Sequence, residues 1–301
     1  MNKGPQQHEF QTSGARLTYF EWGSPAGPVV LLIHATGFHA RCWDQVVKLL
    51  PDDYHVYAVD MRGHGRSENV PPYVWRTFGE DLNELVEHLD LSDAVGVGHS
   101  MGGHCVTQVA ARAPGVFRRL LLIDPVIFEP DAYASDRNGG FARPEDHPVS
   151  RRRNDWETWE DMYDRFKDRS PFSLWRDEVL RDYCRFGVVR KASGEGFELA
   201  CPPLVEASVY LGNTTTDIYK IMPLVQVPVV VLRARPRATS DPHEMDFSAS
   251  PTWDKVAAQF PNGRDVSLPH LSHFIPMQDP ALVARFIQNA DAAADSNISG
   301  R

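Results

Sequence analysis

A serine flanked by glycines joins an apolar, strand-like run to a helix-like run at positions 96–103, GVGHSMGG. A strand that turns directly into a helix strains the residue at the turn and lifts its side chain into the open. Gly98 and Gly102, two positions before and after Ser100, lack the side chains that would clash in such a turn. The spacing therefore predicts that Ser100 is a nucleophile on a sharp strand–helix turn.

Apolar runs typical of buried strands alternate with helix-like segments along the first 125 residues. Predicted strands lie at 28–33, 55–59, 94–98 and 120–123, after a hairpin-like stretch at 8–23. The segment 75–90 carries apolar residues at helical spacing, which is typical of a helix that packs one face on a sheet. This alternation predicts a parallel sheet with helices on both faces.

The alternation stops between about 126 and 225, a stretch rich in Trp, Arg, Asp and Pro. Its helix-like parts, 155–167 and 174–186, lie between loops rather than between strands. The strand pattern resumes at 228–232, followed by a predicted helix that opens at Ser250-Pro251, a strand near 265–268 and a last helix near Asp279-Pro280. The middle of the chain is therefore predicted to be an insertion into the sheet domain.

Four motifs in this order resemble those of the α/β-hydrolase fold: H-x-T-G-F at His34, D-x-R-G-H-G-x-S at Asp60, the serine turn at Ser100, and H-F-x-P-M-x-x-P at His273. The resemblance implies an α/β fold with a mostly parallel eight-stranded sheet flanked by helices. It also implies a core domain of residues 1–125 and 226–301 and an inserted helical cap of residues 126–225. Ala35 departs from the pattern, because such hydrolases usually have glycine after the first histidine.

A serine hydroxyl is a weak nucleophile at neutral pH until a neighbouring imidazole accepts its proton. His273 follows the last predicted strand, from where a side chain can reach back over the sheet edge to the serine turn. It also comes last in the Ser, acid, His order of this fold. The resemblance therefore implies that His273 is the general base.

The acid that orients this histidine is left open among three aspartates. Most relatives carry it just after the seventh strand, but here Leu232 is followed by a basic run without a carboxylate. Asp246 fits the usual place if 235–245 is a loop insertion, and Asp241 is a weaker version of the same idea. Asp124, directly after the sixth strand, matches the position used by haloalkane-dehalogenase-like members. We favour Asp246 on the sequence, with Asp124 as the next candidate.

The oxyanion hole is expected to consist of the backbone amides of Met101, directly after the nucleophile, and Thr36, in the loop after the third strand. Asp60, Arg62 and His64 lie among glycines at a strand end. We interpret them as a loop held by ion pairs and hydrogen bonds rather than as a second catalytic cluster.

A serine nucleophile points to attack on carbonyl carbon, because displacement at saturated carbon would leave an ether that the enzyme could not hydrolyse. We expect cleavage of a carboxylic ester of a small organic molecule through a Ser-His-Asp triad and an acyl-enzyme. One alternative is a C–C bond or lactone hydrolase of aromatic ring-cleavage products, and another is a non-catalytic ligand receptor with the same fold. The run Arg151-Arg152-Arg153 is either a solvated helix entrance or a binding site for an acidic group of the substrate.

Composition restricts the partners. The formal net charge of −9 supplies no basic field for a nucleic acid. No run approaches the roughly 18 apolar residues of a membrane helix, and the start of the chain lacks the apolar region of a signal peptide, so we expect a cytoplasmic protein.

The cysteines and histidines lack metal-ligand spacing and no Walker-type phosphate loop is present, so we expect neither metal nor cofactor. The oligomeric state stays open, a homodimer included.

Overall fold

The structure of the protein is a computed structural model that describes residues 4–134, 141–213, 216–237 and 247–292. The strands are β1 Gln6–Gln11, β2 Arg16–Gly23, β3 Val29–Ile33, β4 His55–Asp60, β5 Ala94–His99, β6 Phe117–Ile123, β7 Asp155–Trp156, β8 Val188–Arg190, β9 Phe197–Leu199, β10 Val229–Arg233 and β11 Gly263–Ser267. The α-helices are α1 Asp44–Val47, α2 Trp75–His88, α3 Met101–Arg112, α4 Pro130–Ala134, α5 Trp159–Phe166, α6 Asp177–Phe186, α7 Pro203–Leu211, α8 Ile275–Gln278 and α9 Pro280–Gln288.

Eight strands form one sheet in the order β1-β2-β4-β3-β5-β6-β10-β11. β2 pairs antiparallel with β1 and β4, and the other neighbours pair in parallel. The predicted α/β fold with a mostly parallel eight-stranded sheet is therefore confirmed. Because parallel strands end at the same edge, the loops after β3, β5, β6, β10 and β11 meet there.

Two hydrophobic cores cover the two faces of this sheet, as side-chain alternation along a strand requires. In β3, Leu31 and Ile33 pack on one face with Leu82 of α2, and Leu32 packs on the other face with Trp43. The apolar stripe read at 75–90 is the buried face of α2. The central strands are therefore covered on both sides, which explains their continuous apolar runs.

The stretch between β6 and β10 carries helices α4–α7 and a second, three-stranded sheet in the order β7-β9-β8. The predicted helices at 155–167 and 174–186 contain α5 and α6, but the first was predicted too long, because Asp155–Trp156 form strand β7. Thr158 begins α5 with a capping box, in which its hydroxyl accepts from the Asp161 amide and the Asp161 carboxylate accepts from the Thr158 amide. The small sheet was not predicted, because strands of two or three residues have no readable period. The division into core and cap stays a prediction.

The predicted helix at Ser250-Pro251 is wrong. This segment forms turns and a single 3₁₀ turn at Ala257–Gln259. The Ser250 hydroxyl does accept from the Thr252 amide at 3.1 Å, as an N-cap would, but it also donates to Asp124. The Trp253 amide donates to the Ile127 carbonyl at 3.0 Å. Tertiary partners therefore take the groups that a helix would have used.

Among the described residues, no helix has the length and apolar character needed to span a membrane.

Candidate active site

Ser100 lies between the last residue of β5 and the first residue of α3, with φ 58° and ψ −118°. This positive φ is unfavourable for a residue with a side chain and is retained where the surroundings impose it. A Cβ atom on Gly98 would lie 2.2 Å from the Gly102 carbonyl oxygen, and one on Gly102 would lie 2.3 Å from the Ile33 carbonyl oxygen. The two glycines therefore allow the tight turn that the sequence predicted.

His273 lies in the loop between β11 and α8, and its ring has a hydrogen-bond partner on each side. Its Nε2 atom is 3.0 Å from the Ser100 Oγ atom, and its Nδ1 atom is 2.7 Å from the Asp124 Oδ2 atom. The Nδ1–H tautomer satisfies both contacts, because Nδ1 then donates to the carboxylate and Nε2 accepts from the hydroxyl. All three side chains are buried. The arrangement can transfer a proton from serine to imidazole.

Two further residues, His99 and Phe247, contact His273. The His99 Nε2 atom is 2.9 Å from the His273 carbonyl oxygen. The Phe247 ring stacks on the His273 ring with centroids 5.7 Å apart, and the Phe247 carbonyl accepts from the His273 amide at 3.2 Å. Neither residue carries a signal in the sequence for this role, because the role depends on a contact across the sheet edge.

Asp124 follows β6 directly and has φ 43°. Its Oδ1 atom accepts from the Ser250 hydroxyl at 2.5 Å, the Ala234 amide at 3.0 Å and the Thr252 hydroxyl at 3.2 Å. With Oδ2 on His273, both carboxylate oxygens are engaged, so the side chain is fixed towards the imidazole. The sequence did not indicate that Ser250 and Thr252 would bind the catalytic acid.

The structure describes one of the three candidate acids. Asp124 lies in hydrogen-bond contact with His273. Asp246, which the sequence favoured, and Asp241 lie outside the described residues. The signal that identified Asp124 was its position directly after the sixth strand.

Met101 and Thr36, the predicted oxyanion-hole residues, lie at the start of α3 and in the loop after β3. The Met101 amide is at the first position of its helix and has no acceptor within that helix. β3 pairs with β5, so the loop that contains Thr36 begins beside the serine turn. Thr36 is buried, and within the described part of the chain its hydroxyl has no hydrogen-bond partner.

Two histidines fasten the 34–39 loop to the loop after β4. His34 donates from Nδ1 to the Ala35 carbonyl at 2.7 Å and accepts the Met61 amide at Nε2 at 2.9 Å. His64 donates from Nδ1 to the Arg62 carbonyl and accepts the Gly37 amide at Nε2 at 3.0 Å. Burial lowers the pKa of His64 to about 4, which keeps Nε2 available as an acceptor. Ala35 is accommodated in this loop as a buried residue.

Ion pairs and hydrogen bonds hold the 60–67 loop, as its glycines and charges suggested. Arg62 forms a two-pronged pair with Asp81 on α2, with both bonds 2.8 Å long. Asp60 accepts from the amides of Ala40 and Arg66. Asp60, Arg62 and His64 therefore bond to other residues, and among the described contacts none of them bonds to Ser100.

Aromatic side chains from both parts of the chain pack beside the histidine. Phe38 of the 34–39 loop lies 5.7 Å from Trp175, 5.2 Å from Tyr183 and 5.9 Å from Phe274, measured between ring centroids. Phe274 lies 5.7 Å from His273. Trp175 and Tyr183 come from the 126–225 stretch, so that stretch contributes aromatic side chains next to Phe38.

The three consecutive arginines have different surroundings. Arg152 is partly buried and forms an ion pair with Glu206 of α7, and its Nη2 atom donates to the Tyr183 hydroxyl at 3.1 Å. The Arg153 guanidinium lies 4.2 Å from the Trp156 ring centroid. Arg151 is exposed. Only Arg152 therefore faces the interior.

Metal-ligating side chains do not cluster within the ranges that the structure covers, where no three His, Cys, Asp or Glu residues are placed to hold an ion.

Comparison with known proteins relates the chain to one large family. A family model described as "Alpha/beta hydrolase family" matches residues 30–286. The bifunctional esterase/perhydrolase DCH of Acinetobacter calcoaceticus is 25% identical over 288 residues, which cover 87% of this chain and 91% of that protein. The non-heme chloroperoxidase of Streptomyces lividans is 37% identical over 130 residues, 42% of this chain and 46% of that protein.

Several curated relatives are matched over about half of their length or less, the Streptomyces protein among them. Among solved structures, an E-2-(acetamidomethylene)succinate hydrolase superposes with a TM-score of 0.72 at 21% identity, covering 96% of this chain and all of that one. At this identity the likeness concerns the fold.

Proposed function

The chain belongs to the alpha/beta hydrolase family, and on this premise we propose that it is a serine hydrolase that cleaves a carboxylic ester of a small organic substrate. One observation carries the proposal: the His273 ring lies between the Ser100 hydroxyl at 3.0 Å and the Asp124 carboxylate at 2.7 Å. A nucleophile, a base and an orienting acid in hydrogen-bond series are what acyl transfer by serine requires.

In the first half of the proposed reaction, the Ser100 Oγ atom attacks the carbonyl carbon of the ester while its proton passes to the His273 Nε2 atom. The resulting imidazolium is stabilised through its Nδ1–H bond to Asp124. Negative charge develops on the former carbonyl oxygen, where the amides of Met101 and Thr36 would donate to it. The tetrahedral intermediate then expels the alcohol, which takes the proton from Nε2, and an acyl ester remains on Ser100.

In the second half, His273 accepts a proton from water as the water oxygen attacks the acyl carbon. The second tetrahedral intermediate collapses to the carboxylic acid, and the Ser100 oxygen recovers its proton from Nε2. Water is therefore the only co-reactant, and the side chains return to their starting state.

The alternative functions differ from an ester hydrolase in the leaving group, or in having no reaction at all. A lactone or C–C hydrolase would use the same acyl-enzyme logic, so substrate tests must separate them from an ester hydrolase. A non-catalytic receptor would have no need for a histidine bonded to both a serine and a fixed carboxylate. The Acinetobacter calcoaceticus relative is named an esterase, which agrees with the ester proposal.

We further propose that residues 126–225 act as a cap that roofs the site and selects the substrate. Trp175 and Tyr183 from this stretch pack on Phe38, which in turn lies 5.9 Å from Phe274, the neighbour of His273. The His39 Nε2 atom is also 3.1 Å from the Tyr183 carbonyl oxygen. Elements inserted at the carboxyl ends of parallel strands commonly line the ligand crevice.

The experiment compares purified wild type, Ser100→Ala and Ser13→Ala on p-nitrophenyl acetate and butyrate, on lactones and on ring-cleavage diketones. We expect ester turnover by wild type and Ser13→Ala, and a loss of roughly 10⁴-fold or more in Ser100→Ala. Labelling by a fluorophosphonate should require Ser100. Equal turnover in Ser100→Ala would refute the proposal, and wild type that binds but never turns over any of these compounds would favour the receptor.

A further inference from the structure

Glu206, a buried residue of the 126–225 stretch, contacts the loop that contains Thr36. Glu206 of α7 is 4% exposed, and its carboxyl group faces Gly37, the residue directly after Thr36. A Cβ atom built on Gly37 would lie 2.5 Å from the Glu206 Oε1 atom and 2.7 Å from its Cδ atom. The carboxyl group therefore occupies the space that a side chain at position 37 would need.

Arg152 holds this carboxyl group in place. The Arg152 Nη1 atom donates to the Glu206 Oε2 atom, and Nη2 donates to the Tyr183 hydroxyl at 3.1 Å. A buried carboxylate is stable only when paired and hydrogen-bonded, so the arginine stabilises the group where it touches the loop. Tyr183 in turn packs against Phe38 of the same loop, with ring centroids 5.2 Å apart.

Gly37 also contacts a residue outside the 126–225 stretch, His64. Its amide donates to the His64 Nε2 atom at 3.0 Å, and its φ is +78°, a conformation that suits glycine. The loop around Thr36 has no helix or strand of its own. Its position is therefore set by His64 of the core on one side and by Glu206 of the inserted stretch on the other.

We propose that Glu206, held by Arg152, is a positioning residue for the oxyanion loop, a role that rests on the proposed serine-hydrolase function. An oxyanion-hole amide acts only when it lies about 2.7–3.1 Å from the developing negative charge. If the carboxyl group is removed, Gly37 gains free space and the Thr36 amide loses its fixed direction. The effect should fall on the transition state, because the charge on the substrate oxygen develops there.

This role differs from direct recognition of an acidic substrate by the arginines. The positive charge of Arg152 is already compensated by Glu206, and the pair presents little net charge to a second carboxylate. Arg151 is exposed, and Arg153 donates to the Asp155 carbonyl and stacks on Trp156. The contacts of the buried pair are directed at the loop and at Tyr183.

The test measures kcat and KM for a neutral p-nitrophenyl ester, and hydrogen–deuterium exchange of the peptide that covers residues 34–40. Glu206→Ala should lower kcat by about 10- to 100-fold with KM changed no more than about twofold, and should speed exchange in this peptide. Glu206→Gln should keep most of the kcat, because its amide fills the same volume and accepts from Arg152. Arg151→Ala, the exposed neighbour, is the matched control and should behave as wild type.

Glu206→Ala leaves the partly buried Arg152 without its charged partner, so the double variant Arg152→Met/Glu206→Ala is measured alongside it and should show the same loss of kcat and faster exchange. Wild-type kcat and exchange in the double variant would overturn the proposal. A change confined to KM would also overturn it, because the pair would then bind substrate. If wild type cleaves no ester, the proposed function fails, and the exchange data still decide whether Glu206 holds the loop.

Discussion

The Asp124 Oδ2 atom lies 2.7 Å from the His273 Nδ1 atom, although 149 positions separate the two residues in the chain. β6 ends at Ile123 and β10 lies beside it, with β11 next in the sheet. The carboxylate after β6 and the histidine after β11 therefore meet at one edge of the sheet. The other carboxylate oxygen accepts from Ser250, Thr252 and the Ala234 amide, so the orientation of Asp124 is fixed.

Asp124→Asn should reduce kcat by about 10⁴-fold on an ester that the wild type cleaves, because an amide cannot hold the same histidine tautomer or stabilise the imidazolium. Asp246→Asn and Asp241→Asn should each stay within a few-fold of wild type. Steady-state kinetics on the three purified variants makes the comparison. A large loss in Asp246→Asn with activity retained in Asp124→Asn would assign the acid to Asp246 instead.

Ser250→Ala should lower kcat by roughly tenfold and destabilise the fold by about 1–3 kcal/mol, because it removes the 2.5 Å hydrogen bond that orients the Asp124 carboxylate. The free energy of unfolding in urea and the kinetics of the same preparation give both quantities. Ser250→Thr keeps the hydroxyl and serves as the control. Unchanged kcat and stability in Ser250→Ala would mean that Ala234 and Thr252 suffice.

Gly98→Ala should prevent formation of the serine turn, because the added methyl would lie 2.2 Å from the Gly102 carbonyl oxygen. The expected result is a cost of several kcal/mol in unfolding free energy and loss of ester turnover. Gly194→Ala is the control: it introduces strain at φ +83° but meets no heavy atom within 4 Å. Similar losses in both variants would show that the steric contact at Gly98 is not decisive.

Asp81→Asn should destabilise the fold by about 3–5 kcal/mol, because it leaves the Arg62 guanidinium, 2% exposed, without its charged partner. Arg76→Ala breaks the exposed Arg76–Glu80 pair and should cost less than about 1 kcal/mol. Denaturant unfolding measures both. We expect folded Asp81→Asn to keep kcat near wild type, because the Arg62–Asp81 pair stabilises the 60–67 loop and does not contact Ser100. A selective loss of kcat would instead place it in the chemistry.

Stability should fall as the pH drops below about 6.5, the ordinary pKa of histidine. Burial lowers the pKa of six histidines: to about 3 in His39, His99 and His104, to about 4 in His64, well below its usual value in His34, and below its usual value in His147. Between these values and 6.5 the unfolded chain binds protons that the folded chain does not, so acid favours unfolding.

Four buried or partly buried carboxyl groups work in the opposite sense, because burial raises the pKa of Asp60, Asp44, Asp182 and Glu206. Burial raises the pKa of Asp60 to about 6, so between its ordinary value of 3.8 and 6 the folded chain holds the extra proton. Six histidines outweigh four carboxyl groups, so the stability still rises with pH over this range. Urea midpoints from about pH 7.5 to about pH 4.5 measure it, and His104→Gln should make the slope shallower by up to one proton. A flat profile would contradict the burial of these neutral rings.

Local features of the sequence determined the sheet strands, the serine turn and the loops around it. Alternating apolar runs and helical stripes report which residues are buried, and glycines at 98 and 102 report a turn with no room for side chains. The position of His273 near Ser100 also followed, because its motif comes directly after the last strand. These signals act within a few residues, so they can be read without the fold.

Only the tertiary structure decided which groups meet across the sheet edge. Asp124 and His273 are brought together by the order of β6, β10 and β11, whereas the sequence alone ranked Asp246 first. The segment at Ser250-Pro251, expected to be a helix, instead donates hydrogen bonds to Asp124 from Ser250 and Thr252. Glu206 against Gly37 carries no local signal at all. Contacts between chain segments depend on strand order and packing, and sequence periodicity reports burial without reporting the partner.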